Sequence, residues 1–292
     1  MSNKYDISAV FTQPDKKTGR GQQMMACPVK EYAVSQGLNV VQPETFRDQA
    51  EVEKLRALSP DLIVVAAYGQ ILPDTVLQIP KYKSINIHPS LLPKYRGPSP
   101  VAAAILNGDS LTGVTMMLVE KKVDSGPILR RKEMEVADED TTGTLTEKLA
   151  VLGAEMLVEV IPGWVAGKIQ AEVQDESQAS YTKMENKEDG KLKWDLPAVE
   201  LWRMVRAYQP WPGCFTTWNN ARLKVSRVLP LHDTSTGTTG EVVALPRSGP
   251  ARVAVRTGDG LLGLVTVQQE GKKEMPAADF IAGHRDFIGA VL

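Results

Sequence analysis

Five short runs in the first part of the chain, Asp6–Phe11, Asn39–Gln42, Asp61–Ala67, Ser84–His88 and Gly113–Val119, are rich in Val, Ile and Met and nearly continuously apolar. A strand with one wet face alternates apolar and polar residues, so unbroken runs signal strands covered on both faces. Between them Pro28–Gln36, Gln49–Leu58 and Pro98–Leu106 have helical length and composition. Pro98 or Pro100 suits a first helical turn, and Gly108 can end that helix. Strand and helix in alternation predict an α/β fold, a doubly wound, Rossmann-like, mostly parallel sheet with helices on both sides. Gly143–Gly167 adds a helix whose Leu145, Leu149, Leu152 and Met156 are spaced for one buried face.

From Gln174 to Gly190 the chain turns polar and reads as a linker over a surface. Pro197–Tyr208 is a helix candidate. Beyond it, Arg222–Leu229, Gly240–Leu245, Ala251–Arg256 and Leu261–Gln268 alternate or are β-branched, and Thr257-Gly258-Asp259-Gly260 is a hairpin signal. Short strands at this spacing predict a small antiparallel, OB-like β-barrel. A chain of 292 residues exceeds one ordinary core. The expected domains are 1–180, a linker at 181–190, and 191–292. The net charge of −1 hides an asymmetry, with 11 Lys or Arg against 7 Asp or Glu over 201–292. Cys27 and Cys214 supply neither a disulfide framework nor metal spacing, and no metal is expected. No segment approaches the ~18 apolar residues of a membrane span, so a cytoplasmic protein, acting as a monomer, is expected.

Asn86 and His88 stand two residues apart at the end of the fourth run, so both point to one face while Ile85 and Ile87 point to the other. Ligands of open parallel sheets bind at the carboxyl ends of strands. An amide and an imidazole side by side there can donate to one developing oxyanion, as acyl transfer requires. A polar strand end with a satisfied histidine is the simpler alternative. The pair sits within Asn-x-His-x-Ser-Leu-Leu-Pro-x-x-Arg-Gly, followed by Gly108-Asp109, Thr112-Gly113-Val114-Thr115 and Val123-Asp124-Ser125-Gly126-Pro127-Ile128-Leu129. These motifs resemble the core of the folate-dependent formyltransferases, which move a formyl group from 10-formyltetrahydrofolate to an amine. The resemblance implies a catalytic trio of Asn86, His88 and Asp124, with Asn86 and a protonated His88 donating to the oxyanion and Asp124 holding the imidazole charged. It implies folate contacts from Ser90, Leu91, Leu92 and Pro93, with the backbone of Tyr68–Leu72 bordering the pterin.

The acceptor is read elsewhere. Phe11-Thr12-Gln13-Pro14-Asp15 through Gly19-Arg20-Gly21 and Cys27-Pro28-Val29-Lys30 is similar to a loop found in the members that formylate methionyl-tRNA, and its key arginine falls on Arg20. A guanidinium between glycines can engage phosphates or stack on an unpaired base; the alternative is a solvated basic turn. Gly19-x-Gly21 is no dinucleotide fingerprint, because Met24 stands where a third glycine belongs. Tyr208-Gln209-Pro210-Trp211-Pro212-Gly213, Gly258-Asp259-Gly260 and Gly271-Lys272-Lys273 extend the same resemblance, implying tRNA contacts at Lys272 and Lys273, with Arg222, Lys224 and Arg227 available to the RNA backbone. The implied reaction is formylation of the α-amino group of methionine on initiator tRNA for translation initiation. A sugar-nucleotide N-formyltransferase and a non-catalytic folate- or RNA-binding remnant are the rival readings. Members of the family normally open with a strand, a Gly-Thr-Pro-type loop and a helix ahead of the segment that begins here at Lys4. That strand is central to the sheet, so an internal or misassigned start, or a shortened fragment, is expected.

Overall fold

The apolar runs fold as strands and the segments between them as helices. The structure, a computed structural model, describes residues 5–18, 23–234, 236–246 and 248–292. In chain order its first elements are β1 (Val10–Phe11), β2 (Lys16–Thr18), β3 (Gln23–Met25), α1 (Pro28–Ser35), β4 (Val40–Val41), α2 (Gln49–Ala57), β5 (Ile63–Val65), α3 (Asp74–Leu77) and β6 (Ser84–His88). They are followed by α4 (Pro100–Asn107), β7 (Leu111–Leu118), β8 (Ile128–Glu135) and α5 (Thr142–Val165). Two compact units emerge: Met1–Arg96, Val114–Lys132 and Val151–Ala179 form one, and Gly97–Gly113, Glu133–Ala150 and Ser180–Leu292 the other.

In the first unit β5 and β6 are parallel, with Ile63 opposite Ser84 and Val65 opposite Asn86. β6 runs antiparallel to β7, placing His88 opposite Thr115. β8 completes the order β5–β6–β7–β8, while β1 and β4 form a separate two-stranded parallel ladder. Among the described residues no backbone ladder joins the β1–β4 pair to β5. Val10, Ile63 and Val65 are only half-buried and Val64 is exposed, although unbroken apolar runs predict burial on both faces. Phe11, Ile63, Val65 and Tyr68 still share one core with Phe46, Val52, Leu55, Leu72 and Val76. Asp48 starts α2 by accepting from the Ala50 N–H, and Val52 and Leu55, three apart, supply its buried face. The α5 positions Leu145, Leu149, Leu152 and Met156 are all buried, as their spacing requires.

The second unit contains α6 (Ala198–Ala207), β9 (Cys214–Trp218), β10 (Ala221–Leu231), β11 (Val242–Ala244), β12 (Val253–Arg256), β13 (Leu261–Gln269), β14 (Met275–Pro276) and α7 (Ala277–Gly283). Its sheet is antiparallel throughout, in the order β11–β12–β13–β10–β9 with β14 on β13. Among the described residues the ladder does not close on itself, so the expected barrel is a half-barrel. A register shift around Arg227 bends β10. The inner face carries Leu223, Val225, Val253, Val255, Leu262, Leu264 and Val267, capped by Trp218, Phe280 and Phe287 in edge-to-face contact. Arg256 faces Leu261 across the predicted hairpin, and Gly260 takes a φ of 78° that an L side chain rarely adopts. Among the described residues no helix is long and apolar enough to cross a membrane.

Candidate active site

β6 ends at the site, and the strand's alternation sorts its side chains. Ile85 is fully buried on one face. On that side α5 lies close, since a Cβ added at Gly153 would stand 2.8 Å from the Ile87 Cγ2. Asn86 and His88 point the other way, toward the turn between β7 and β8 that carries Asp124. Asp124 Oδ1 is 3.5 Å from Asn86 Nδ2, and Oδ2 is 3.7 Å from His88 Nδ1. The three residues that the sequence resemblance implied thus meet from two elements 36 or more positions apart.

The turn's shape is set by Asp124, which adopts a left-handed φ of 50°, and by Gly126. A Cβ at Gly126 would overlap the carbonyl oxygen of Leu118, so only glycine lets this backbone lie against the end of β7. Ser125 fastens the turn with its hydroxyl on the Lys122 carbonyl at 2.9 Å.

His88 is almost wholly buried, and its two nitrogens have different tasks. Nε2 lies 3.0 Å from the carbonyl oxygen of Tyr95. A carbonyl only accepts, so Nε2 carries the hydrogen and Nδ1 is left facing Asp124. The separation of 3.7 Å exceeds a hydrogen bond, so the carboxylate faces the ring as a neighbouring charge. Burial pushes the imidazole below its ordinary range, against the pull of Asp124 and the Tyr95 carbonyl. Burial thus works against the charged ring and Asp124 works for it. This has a thermodynamic consequence. Below 6.5, the ordinary value, the unfolded chain takes up a proton that folded His88 refuses. Stability is then complete above that pH and falls as acid is added, by about 1.4 kcal/mol per pH unit inside the window. Urea unfolding from pH 7.5 to 5 should show this loss in the parent and less of it in His88→Gln; equal slopes would contradict it.

The segment after β6 is a turn built around Thr115 of β7. The Thr115 hydroxyl accepts from the Leu92 N–H at 3.1 Å and donates to the Ser90 carbonyl at 2.6 Å. Arg131 Nε donates to the Leu92 carbonyl at 2.9 Å. Of the four expected folate contacts, the Ser90 hydroxyl is spent on the Lys94 carbonyl, and Leu92 is buried with Met117 and Ile128. Those two side chains face inward and shape the turn; Leu91 and Pro93 are half-buried and can face a ligand. Arg96, which motif reading left without a role, is completely buried and bonds Gln174 and Glu176. Arg96 and Lys122 pull the Glu176 carboxyl down to about 2. Nothing in the composition of the polar stretch starting at Gln174 announced that its first residue is interior.

Around the arginine loop, β2 and β3 pair as a hairpin, Lys16 opposite Met25 and Thr18 opposite Gln23. Arg20 itself lies outside the described residues. The hairpin's base is anchored where Asp15 meets Lys30 at 2.7 Å and Gln13 Nε2 donates to the Tyr68 carbonyl at 2.8 Å. In the second unit Lys272 and Lys273 are exposed in the turn after β13. Lys224, exposed on β10, faces Gln268, whose amide donates to the Lys272 carbonyl, so these lysines share one end of the ladder. Arg227 is exposed, whereas Arg222 stacks on the Phe215 ring at 3.6 Å.

The pattern of the family described as "Formyl transferase" matches residues 1–161, and that of "Formyl transferase, C-terminal domain" matches 185–285. A methionyl-tRNA formyltransferase of Roseiflexus sp. (strain RS-1) is 48% identical over 97% of this chain and 86% of its own length. The chain belongs to the methionyl-tRNA formyltransferase family. Solved structures carry the same fold at lower identity. WlaRD, a sugar 3N-formyl transferase solved in the presence of dTDP and 5-N-formyl-THF, superposes with a TM-score of 0.64 at 18% identity, over 93% of this chain and 92% of that one. HypX from Aquifex aeolicus in complex with tetrahydrofolic acid gives 0.62 at 19% identity, over 88% of this chain and 44% of that longer one. In this formyltransferase the trio lies wholly within the span of the first pattern, and the exposed lysines lie within that of the second.

Proposed function

We propose that Asn86, His88 and Asp124 carry the reaction of this methionyl-tRNA formyltransferase, moving the formyl group of 10-formyltetrahydrofolate to the α-amino group of methionine on initiator tRNA. The carrying observation is the meeting of an amide, an imidazole and a carboxylate within 3.5 and 3.7 Å at a strand's end. Asn86 Nδ2 donates to the formyl oxygen as attack by the amine loads it with charge. His88 Nδ1, unprotonated at rest, accepts the proton that the attacking amine must lose, and Asp124 stabilises the imidazolium so formed. The imidazolium then adds a second donor beside Asn86 and, as the intermediate collapses and the bond from the formyl carbon to N10 breaks, gives its proton to N10 of the departing tetrahydrofolate. Nε2 stays on the Tyr95 carbonyl throughout and keeps the ring oriented. No covalent link to the protein is required.

The formyl donor fits the turn after β6. Leu91 and Pro93 offer half-exposed apolar surface for a flat ring, and the backbone of residues 90–93 is held by Thr115 and Arg131 rather than by a ligand. Exposed Ile71 continues this apolar border from the Tyr68–Leu72 segment. Ser90 and Leu92 act from below, by fixing the turn. Methionyl-tRNA is met by Arg20 and by Lys272 and Lys273, the first at its acceptor end and the lysines along phosphates. Residues 1–180 make the catalytic domain and 191–292 the RNA-binding domain, joined through 181–190 in a cytoplasmic monomer.

One assay tests this reading. The protein is incubated with 10-formyltetrahydrofolate and either methionyl initiator tRNA or an amino-sugar nucleotide. Formyl-methionine on the RNA is expected, with no formylated sugar. Replacing Lys272 and Lys273 by Ala should lower kcat/KM for tRNA about tenfold at low salt, flatten the log–log salt slope by about 2, and leave kcat unchanged. A formylated sugar, or folate binding without any product, would overturn the assignment.

A further inference from the structure

We propose that Gln174 is a positioning residue for formyl transfer, holding the Asp124 turn so that the carboxylate stands against His88 and Asn86. The inference rests on the reading of Asp124 as a catalytic group. Gln174 opens a largely polar, exposed stretch, yet only 4% of its surface meets solvent. Its Oε1 accepts from Arg96 Nε at 3.0 Å and Nη2 at 2.8 Å. A guanidinium only donates, so the carboxamide oxygen is fixed on that side and Nε2 must face the other. There Nε2 donates to two backbone carbonyls, Asp124 at 2.9 Å and Gly126 at 2.7 Å. One side chain thus clamps the turn on both sides of Ser125.

The clamp has something to hold. Asp124 sits at a φ of 50°, a conformation that a residue with a Cβ keeps only when its surroundings impose it. Asp124's side chain can meet both Asn86 and His88 only while that turn keeps its shape. The clamp also refers both halves of the pair to one point of the chain. Tyr95 holds the imidazole through its carbonyl, and the next residue, Arg96, holds Gln174 and hence the carboxylate's backbone. A second tie runs from Arg96 through Glu176 to Lys122, each contact 2.8 Å, at the start of the same turn. His88 and Asp124 are therefore spaced by a brace whose central members, Arg96 and Gln174, are buried.

Gln174→Glu separates positioning from packing. It keeps the shape and the acceptor for Arg96, but loses both N–H donors and sets a charged oxygen against two carbonyls. With the full chain, kcat is expected to fall about 10- to 100-fold, as an ångström of misplacement does, while KM for 10-formyltetrahydrofolate and for methionyl-tRNA stays within about twofold. Backbone amides of residues 122–126 should exchange at least about tenfold faster, with other segments unchanged. In an Asp124→Asn background the same substitution should cost no more than about twofold, because there is no carboxylate left to place. A merely structural role would lower the rate equally in both backgrounds, and that result, or a normal kcat for Gln174→Glu beside an impaired Asp124→Asn, overturns the proposal. Near-normal turnover of Asp124→Asn alone would reject the underlying reading instead, and the proposal with it. Should Gln174→Glu fail to fold by circular dichroism, Gln174→Met fills the same volume without donors and is held to the same outcomes.

Discussion

Asp124→Asn is expected to lower the single-turnover rate of formyl transfer by about 10²- to 10⁴-fold, with the binding of both substrates nearly unchanged. The substitution keeps the side chain's size and its place 3.5 Å from Asn86. What it removes is negative charge facing His88 Nδ1. Burial already disfavours the imidazolium, so without the carboxylate the ring has little tendency to accept the amine's proton. The loss should therefore appear in the chemical step and should narrow as the pH is lowered, because the parent's imidazole, favoured by the carboxylate, protonates before the variant's does. Rapid-quench measurement with saturating 10-formyltetrahydrofolate and methionyl-tRNA reads it directly. A rate within a few-fold of the parent would remove Asp124 from the mechanism.

Gly126→Ala should be nearly as damaging although Gly126 carries no chemistry. The new Cβ overlaps the Leu118 carbonyl oxygen, and a backbone neighbour cannot swing aside as a flexible side chain can. Either the turn lifts or the end of β7 moves. Overpacking of this kind typically costs about 1–3 kcal/mol, and a shift of about an ångström at Asp124 costs about 10² in rate. Comparison of Gly126→Ala with Gly167→Ala controls for the backbone: Gly167 is left-handed but meets nothing within 4 Å. Gly167→Ala should lose some stability and no activity, whereas Gly126→Ala should lose both. Equal behaviour of the two would show that the turn tolerates what its geometry forbids.

Much of this site was legible before any coordinates. β6 spans the same residues as its apolar run, and its alternation placed Asn86 and His88 on one face. Gly108 caps α4 in the left-handed conformation expected of it, and the Thr257–Gly260 hairpin formed. Local signals sufficed there, because period, turn chemistry and capping act over a few residues. β8 was missed because Arg130, Arg131 and Lys132 hide its extended character, and β9 because its five residues follow a Pro-rich segment. The hairpin β2–β3 is exposed and lacks the apolar pattern that marks a strand. Interior polar groups were the least legible. Arg96 and Gln174 lie 78 positions apart, and a polar side chain gives no local sign that its partner is buried. A buried guanidinium needs acceptors, but only the folded chain shows which residue provides them. The surroundings of His88 were hidden for the same reason, since its burial and the Tyr95 carbonyl are tertiary facts.

The central claim is that His88 and Asp124 act as one unit on one proton, and a double-substitution cycle tests it most directly. His88→Gln, Asp124→Asn and the pair are compared by single-turnover formylation of methionyl-tRNA. Groups that share one task are not additive, so the double variant should fall within about threefold of the worse single variant. Losses that multiply would mean two independent contributions, and the shared-proton account would be wrong.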